Sequence, residues 1–200
     1  MTQPLPPYLR TKFPELAANW AQLQGYFYSR HVPAHTRLLT EGTVATKLYL
    51  VVQGSLRMWH TTDQREVTLQ FFFENQPVAS FESFYLGQPS DSAIETLEPT
   101  DLLILDKADF DQIRRTLPGF ESSLNRWLCA RFIAYRQRVY TQLQTTPTGR
   151  YQALVADNPM ILDRVPLHEI ATYLGMTPVS LSRIRARLNE QNGTNGSSYV

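Results

Sequence analysis

The sequence predicts an α+β protein: a jelly-roll-like front of short strands, one long helix, and a small helical unit at the end. Three observations carry this. Between residues 35 and 106, short runs rich in Leu, Val, Ile, Thr and aromatics are separated by turn residues at intervals of about 8–12, as in sandwiches and jelly rolls. Residues 121–143 then run without Gly or Pro. The remainder breaks into short helical patterns, one of them ending at Gly175 and followed by a Thr-Pro pair.

Residues 1–30 are Pro-bearing and then aromatic, and one or two short helices are expected there. The strand runs are "TRLLTEG", "TKLYLVVQGSLRMWHTT", "REVTLQFFFENQ" and "DSAIETLEPTDLLILDK", with turns at Gly42, Gly54, Asp63-Gln64, Asn75–Pro77 and Glu98-Pro99. "KADFDQIRRTLPGF" reads as a short helix stopped near Pro118-Gly119. In the long helix, Leu124, Leu128, Tyr135, Val139 and Leu143 fall near one face, with Arg131 interrupting the stripe. Some 23 residues of helix span about 35 Å, long for this chain. An exposed helix pairing with a second copy is expected, with core packing as the alternative. "QTTPTG" reads as a hinge, "MILDRVP" as a short strand, and "NGTNGSSYV" as a flexible tail. The expected units are therefore residues 1–119, 120–144, 145–191 and 192–200.

Apolar residues make up 42% of the chain, enough for a real core. No run of about 18 apolar residues suggests a membrane span, and the N-terminus lacks the apolar stretch of a signal peptide. Cys129 is the single cysteine, so an intrachain disulfide is excluded and a reducing cytoplasm is expected. Its apolar neighbours suggest a buried, inert thiol. Net charge is only +1, but residues 1–119 carry ten Lys/Arg against thirteen Asp/Glu, and residues 120–200 nine against five. An anionic partner is expected at the C-terminal end.

The segment "TYLGMTPVSLSRIRARL" says which anion. With Thr177 as N-cap and Pro178 at the first helical position, Leu181, Ile184 and Leu188 share one narrow sector at 100° per residue. Val179, Ser182, Arg183 and Ala186 take the opposite side, Arg185 flanks the apolar sector and Arg187 lies away from it. Small residues permit close approach, and a guanidinium pairs bidentately with guanine O6 and N7. Upstream, "LHEIATYLG" puts Leu167, Ile170, Ala171 and Leu174 on one face. Ala171, Gly175, Leu181 and Ile184 have the spacing of a helix-turn-helix, in which Gly supplies φ > 0 at the turn. A generic helix pair with a solvated basic face is the alternative.

Over roughly residues 20–190 the chain resembles the Crp/Fnr family of bacterial transcription regulators. "LLTEG" followed by "LYLVVQGSLRMW", then "VTLQFFFENQPVASFESF", is similar to that family's cyclic-nucleotide-binding-type β-roll, and "PLHEIATYLGMTPVSLSRIRARL" to its helix-turn-helix. The resemblance implies double-stranded DNA as partner, a homodimer on an inverted repeat, RNA polymerase as a further candidate partner, and room for a small-molecule effector. It places Val179, Ser182 and Arg183 at base-reading positions and Thr177, Ser180 and Arg187 at phosphates. Pro178 stands where many relatives carry arginine, and the usual β-hairpin wing after the recognition helix is not expected.

In such β-rolls the nucleotide meets a Gly-Glu pair and an Arg-Ser/Thr-Ala run; the matching residues are Phe81-Glu82 and Asp91-Ser92-Ala93. Asp91 would set a carboxylate against the phosphate, and no Lys or Arg occurs between residues 66 and 106. A degenerate pocket is expected, closed to cyclic AMP and cyclic GMP. Phe71, Phe72, Phe73, Phe81, Phe84 and Tyr85 suit core packing more than a ligand cavity. No cofactor is expected: one thiol cannot hold an iron–sulfur cluster, and His31, His35, His60 and His168 lack metal-ligand spacing. The alternatives are a cyclic-nucleotide-responsive regulator and a β-roll protein-interaction module that does not bind DNA; a further rival class, an enzyme on a jelly roll, lacks its His-X-His here.

Overall fold

The computed structural model describes residues 4–63 and 65–195, with the side chains of 191–195 left aside. The chain opens with three short helices rather than one or two: α1 (Pro7–Lys12), α2 (Pro14–Ala18) and α3 (Trp20–Leu23), then a 3-10 turn at Gln24–Tyr26. Proline starts α1 and α2, where its missing N–H costs nothing.

Two four-stranded antiparallel sheets follow. One has the order β1 (Phe27–Val32), β8 (Thr100–Asp106), β3 (Lys47–Gln53), β6 (Pro77–Val78). The other has β2 (Arg37–Leu39), β7 (Ala93–Thr96), β4 (Leu56–Thr61), β5 (Glu66–Phe72). The two-residue period decides what each face buries. Leu56 pairs with Phe72 and both enter the inter-sheet core; Arg57 pairs with Phe71 and both face out, yet these too are buried. Something therefore covers the outer face of the second sheet. Gly54 turns β3 into β4 at φ +106°, and a Cβ there would sit 2.5 Å from the Thr100 hydroxyl. Only glycine fits that corner.

The sandwich is followed by α5 (Lys107–Thr116) and α6 (Phe120–Gln144). A short α4 (Phe81–Leu86) bridges β6 and β7. The first half of α6 closes the main core with α1 and α2: the Phe120 ring packs tilted 5.4 Å from Phe13, and the Trp127 indole donates to the Tyr8 hydroxyl at 2.7 Å.

The expected hinge narrows to Thr145 and Thr146, since Thr146 caps α7 (Pro147–Asp157) through Gly149 N–H. Next come α8 (Ile161–Arg164), α9 (Leu167–Tyr173) and α10 (Pro178–Asn195). Two expectations are corrected here. "MILDRVP" holds the four-residue α8 and no strand. Residues 192–195, expected as tail, continue α10; 196–200 lie outside the described residues.

These helices share a second core with the sandwich. Phe71 and Leu97 pack with Tyr151, Ile161, Ile170, Leu174 and Leu181. Burying side chains such as Ile170 and Leu181 contributes about 1.5–3 kcal/mol each. The C-terminal unit is thus what covers the outer face of the second sheet.

Candidate nucleic-acid interface

The helix-turn-helix is built from a buried turn. Ala171 is fully buried, so α9 and α10 cross closely. Gly175 adopts φ +67°, Met176 N–H donates to Ala171 C=O at 3.0 Å, and Gly175 N–H donates to Thr172 C=O at 3.1 Å. This is the Schellman termination, which needs a left-handed residue at that position. Thr177 then caps α10, its hydroxyl accepting from Ser180 N–H at 3.1 Å. The helix seats Leu181 (0% exposed) and Ile184 (8%) in the second core and turns Val179, Ser182, Arg183 and Ala186 outward. Val179 is 60% exposed. The hydroxyls of Thr177 and Ser180 hydrogen-bond each other at 2.9 Å, and Arg187 donates to Thr148 at 2.9 Å. Arg187 therefore already has a neutral partner on α7.

Sequence reasoning missed how this unit is held. Arg164 of α8 donates to Glu74 at 2.8 and 2.9 Å and to Glu98 at 2.6 Å, and lies over Phe73. The hydrogen bonds from Arg164 pull the Glu74 carboxyl down to about 2. On the sheet, Arg57 donates to Glu95 at 2.5 Å and Glu66 at 2.6 Å, and faces Glu169 of α9 at 3.6 Å. Glu169 is 4% exposed with one carboxylate oxygen unpartnered. Burial raises its pKa against the opposing pull of Arg57. Thr172 donates to Thr68 at 3.0 Å, and Tyr173 packs 5.2 Å from Phe71. The only signal for these in the sequence was charge at outward strand positions, and that pattern does not name a partner.

Of the expected ligand-pocket residues, Phe81 and Glu82 lie on α4 and Asp91–Ala93 in or beside β7, with Ser80 and Ser90 hydrogen-bonded between the two segments. Glu82 and Asp91 are exposed, while Ser92 and Ala93 are buried in or beside β7. The Phe81 ring stacks 5.7 Å from Tyr85 and packs against Phe84 and Trp127. The Ser90 hydroxyl donates to the Ser92 carbonyl at 2.7 Å and shares a hydrogen bond with the Ser80 hydroxyl at 2.8 Å, so these serines satisfy one another. Phe72 and Phe84 are core residues, Phe71 and Phe73 belong to the second core, and Tyr85 lies exposed against Arg114.

The long helix departs from its expected stripe. Leu124 is 3% exposed and belongs to the chain's own core, with Leu128 packed beside it. Val139 is half-buried and lines a cleft with Tyr135, which is exposed to that cleft. Of the expected stripe, Tyr135 (57% exposed) and Leu143 (79%) are exposed, as are Cys129, Phe132 (68%), Ile133 (56%) and Tyr140 beside it. Cys129, expected as a buried thiol, is exposed. Both errors share a cause: helical period finds an apolar face but not what covers it.

Against known proteins, residues 29–116 match the family described as cyclic nucleotide-binding domain. No curated protein sequence is matched. Among solved structures, the whole architecture is that of Crp/Fnr regulators. The c-di-GMP responsive global regulator CLP of Xanthomonas campestris superposes at TM-score 0.71 and 18% identity, covering 88% of this chain and 93% of its own. The catabolite activator protein of Thermus thermophilus gives 0.56 and 22%, covering 94% and 88%. A Crp/Fnr-family transcriptional regulator of Eubacterium rectale gives 0.71 and 19%, covering 90% and 88%. The matched span carries a Phe-Glu pair at 81–82 and an Asp-Ser-Ala run at 91–93, with both acidic residues exposed. Among the described residues there is no cluster of metal-binding side chains and no helix long and apolar enough to cross a membrane.

Proposed function

We propose that the chain is a homodimeric DNA-binding transcription regulator whose recognition helix is α10. One observation carries the reading: Leu181 and Ile184 are sealed beneath a helix whose outer side offers Val179, Ser182 and the exposed Arg183. Small residues let the helix enter a major groove, where a guanidinium reads guanine. Thr177 and Ser180 at the helix start, with Arg187, would meet phosphates and set register without reading sequence.

The dimer would form along α6. Positions 129, 133, 136, 140 and 143 alternate steps of four and three, the a/d spacing of a two-stranded coiled coil, and four of the five are Cys, Ile, Tyr and Leu. Two-fold pairing would set two recognition helices about 34 Å apart on an inverted repeat. RNA polymerase is a candidate contact of the bound dimer.

The nucleotide-binding domain would serve as scaffold or as sensor of an effector other than cyclic AMP or cyclic GMP. Asp91 replaces the cation that a cyclic phosphate needs, and replacing such a partner costs about 3–5 kcal/mol, or two to four decades of affinity.

The test is fluorescence anisotropy with promoter fragments over a salt series. DNA binding weakens steeply with salt through counterion release. A salt-insensitive protein complex and indifference to every duplex would instead favour a protein-interaction module.

A further inference from the structure

The unit α7–α10 joins the rest of the chain through the short Thr145–Thr146 link after α6. Its core is largely its own. Among the described residues, only Phe71 and Leu97 of the buried second core come from the sandwich; Tyr151, Ile161, Ile170 and Leu181 would stay together if the unit moved. Lifting it off the sheet exposes little apolar surface, so the polar contacts weigh heavily in whether it stays down.

Those contacts differ at the two ends of the seam. At one, Arg164 serves Glu74 and Glu98, both partly exposed, and charge is nearly balanced. At the other, Glu169 of α9 comes down on a patch that already holds Glu66 of β5 and Glu95 of β7. Arg57 hydrogen-bonds those two at 2.6 and 2.5 Å and stands 3.6 Å from Glu169, beyond hydrogen-bonding distance. Arg37 of β2 is 3.7 Å from Glu95. His168 lies 3.8 Å from Glu169 with its own side chain 68% exposed, and His35, in the turn before β2, acts on Glu169 only through its charge. Two polar atoms are orphaned here: Glu169 Oε2, and the indole N–H of Trp59, whose ring lies 5.2 Å from Arg57. The seam is closely packed but electrostatically incomplete.

We infer that this seam is a proton-operated latch: a proton on Glu169 holds the helix-turn-helix unit against the second sheet, and its loss lets the unit lift. A neutral carboxyl needs no cation and adds no third negative charge beside Glu66 and Glu95. An ionised one either stays buried beside them or gains water when the unit rises. The sign follows from burial, which raises the Glu169 carboxyl above its ordinary 4.5 against the pull of Arg57. The docked form therefore holds the proton more tightly than the lifted form. Docking is strongest below 4.5 and weakens as pH rises through the docked-state value. Because α10 rides on this unit, its placement relative to α6 follows the proton, whether or not α10 binds DNA.

The test is amide hydrogen exchange on the full-length protein without DNA, each rate being divided by that of an unstructured peptide at the same pH. The reporter is the Thr68 N–H, which donates to the Thr172 hydroxyl across the seam at 3.3 Å. Its protection should fall about fivefold between about pH 4.5 and 8, while amides of β8 in the other sheet keep theirs. Glu169→Gln should flatten the profile and keep Thr68 protected throughout; His168→Gln should leave the profile as it is. Should Glu169→Gln fail to fold, Glu66→Gln frees an Arg57 nitrogen for Glu169 and should shrink the pH effect. A Thr68 profile that is flat in the native chain, that persists in Glu169→Gln or unshrunk in Glu66→Gln, that vanishes in His168→Gln, or that moves in step with β8 would overturn the inference.

Discussion

Glu169 on α9 faces Arg57 on β4 at 3.6 Å across the seam between the helix-turn-helix and the sandwich, and its second oxygen is buried without a partner. Arg57 already serves Glu66 and Glu95, and Arg37 reaches Glu95 only at 3.7 Å. A single well-placed guanidinium among three carboxylates leaves the most buried of them undercompensated.

The first prediction follows from that imbalance. Glu169→Gln keeps the shape and removes the charge, and should stabilise the protein at neutral pH by about 1 kcal/mol, or 2–4 °C in Tm. The folded-state pKa of Glu169 is raised above its ordinary 4.5, so ionisation carries a penalty that appears as pH rises through 4.5. The gain of the variant should therefore vanish below about pH 4. Equal Tm values at pH 4 and pH 8 would contradict it.

Arg164→Ala should have the opposite effect. It removes the clamp on Glu74 and Glu98, whose side chains are 34% and 31% exposed, so the cost is nearer that of a surface network than of a buried pair. A loss of about 1–2 kcal/mol is expected. The Glu74 carboxyl is depressed to about 2, so its contribution is fully present above 4.5 and fades as pH falls toward 2. Denaturation curves of the two proteins should converge over that window.

Two glycines separate backbone strain from collision. Both Gly175 and Gly54 have positive φ, but a Cβ at Gly175 meets nothing within 4 Å, whereas one at Gly54 meets Thr100 at 2.5 Å. Gly175→Ala should cost about 1 kcal/mol. Gly54→Ala should cost about 3 kcal/mol or more, since Thr100 lies in a central strand. Urea midpoints with unchanged m-values would check both.

The heptad stripe on α6 predicts a cross-link. Residues at a and d positions of a parallel pair face their own twins, within reach of a disulfide. Mild oxidation with diamide should join two chains through Cys129, and Cys129→Ser should abolish the covalent dimer. Ile133→Glu should shift the native protein to monomer by light scattering. A monomeric starting protein would remove the basis for the inverted-repeat site.

Arg183→Ala should weaken binding to the cognate site by about 1–3 kcal/mol and relax preference at one base position. Arg187→Ala should weaken cognate and random duplexes alike. Competition anisotropy with single-base variants of the site would separate the two roles.

Much of this was legible in one dimension. Apolar, β-branched and aromatic runs such as "TKLYLVVQGSLRMWHTT" between turn residues predicted sandwich strands, and Gly54 predicted the corner that Thr100 encloses. The turn at Gly175 and the burial of Leu181 and Ile184 follow from spacing alone, because backbone geometry makes local sequence and local structure nearly the same statement. The long helix was legible as a helix, but its faces were not: Leu124 is claimed by the chain's own core, leaving Ile133 and Leu143 outside.

What the sequence by itself determined was therefore local: the kinds of elements, their order, the capped turn before α10 and the side of α10 that packs down. Only the tertiary structure decided that the outer face of the second sheet is roofed by the helix-turn-helix, that Arg57 meets Glu169 and Arg164 meets Glu74, and that three arginines from α6 and α7 share one cleft. Periodicity fixes which way a side chain points from its own backbone. It carries no term for which distant element arrives opposite, and that pairing, between residues as far apart as Arg57 and Glu169, is settled only when desolvation and charge are balanced across the whole fold.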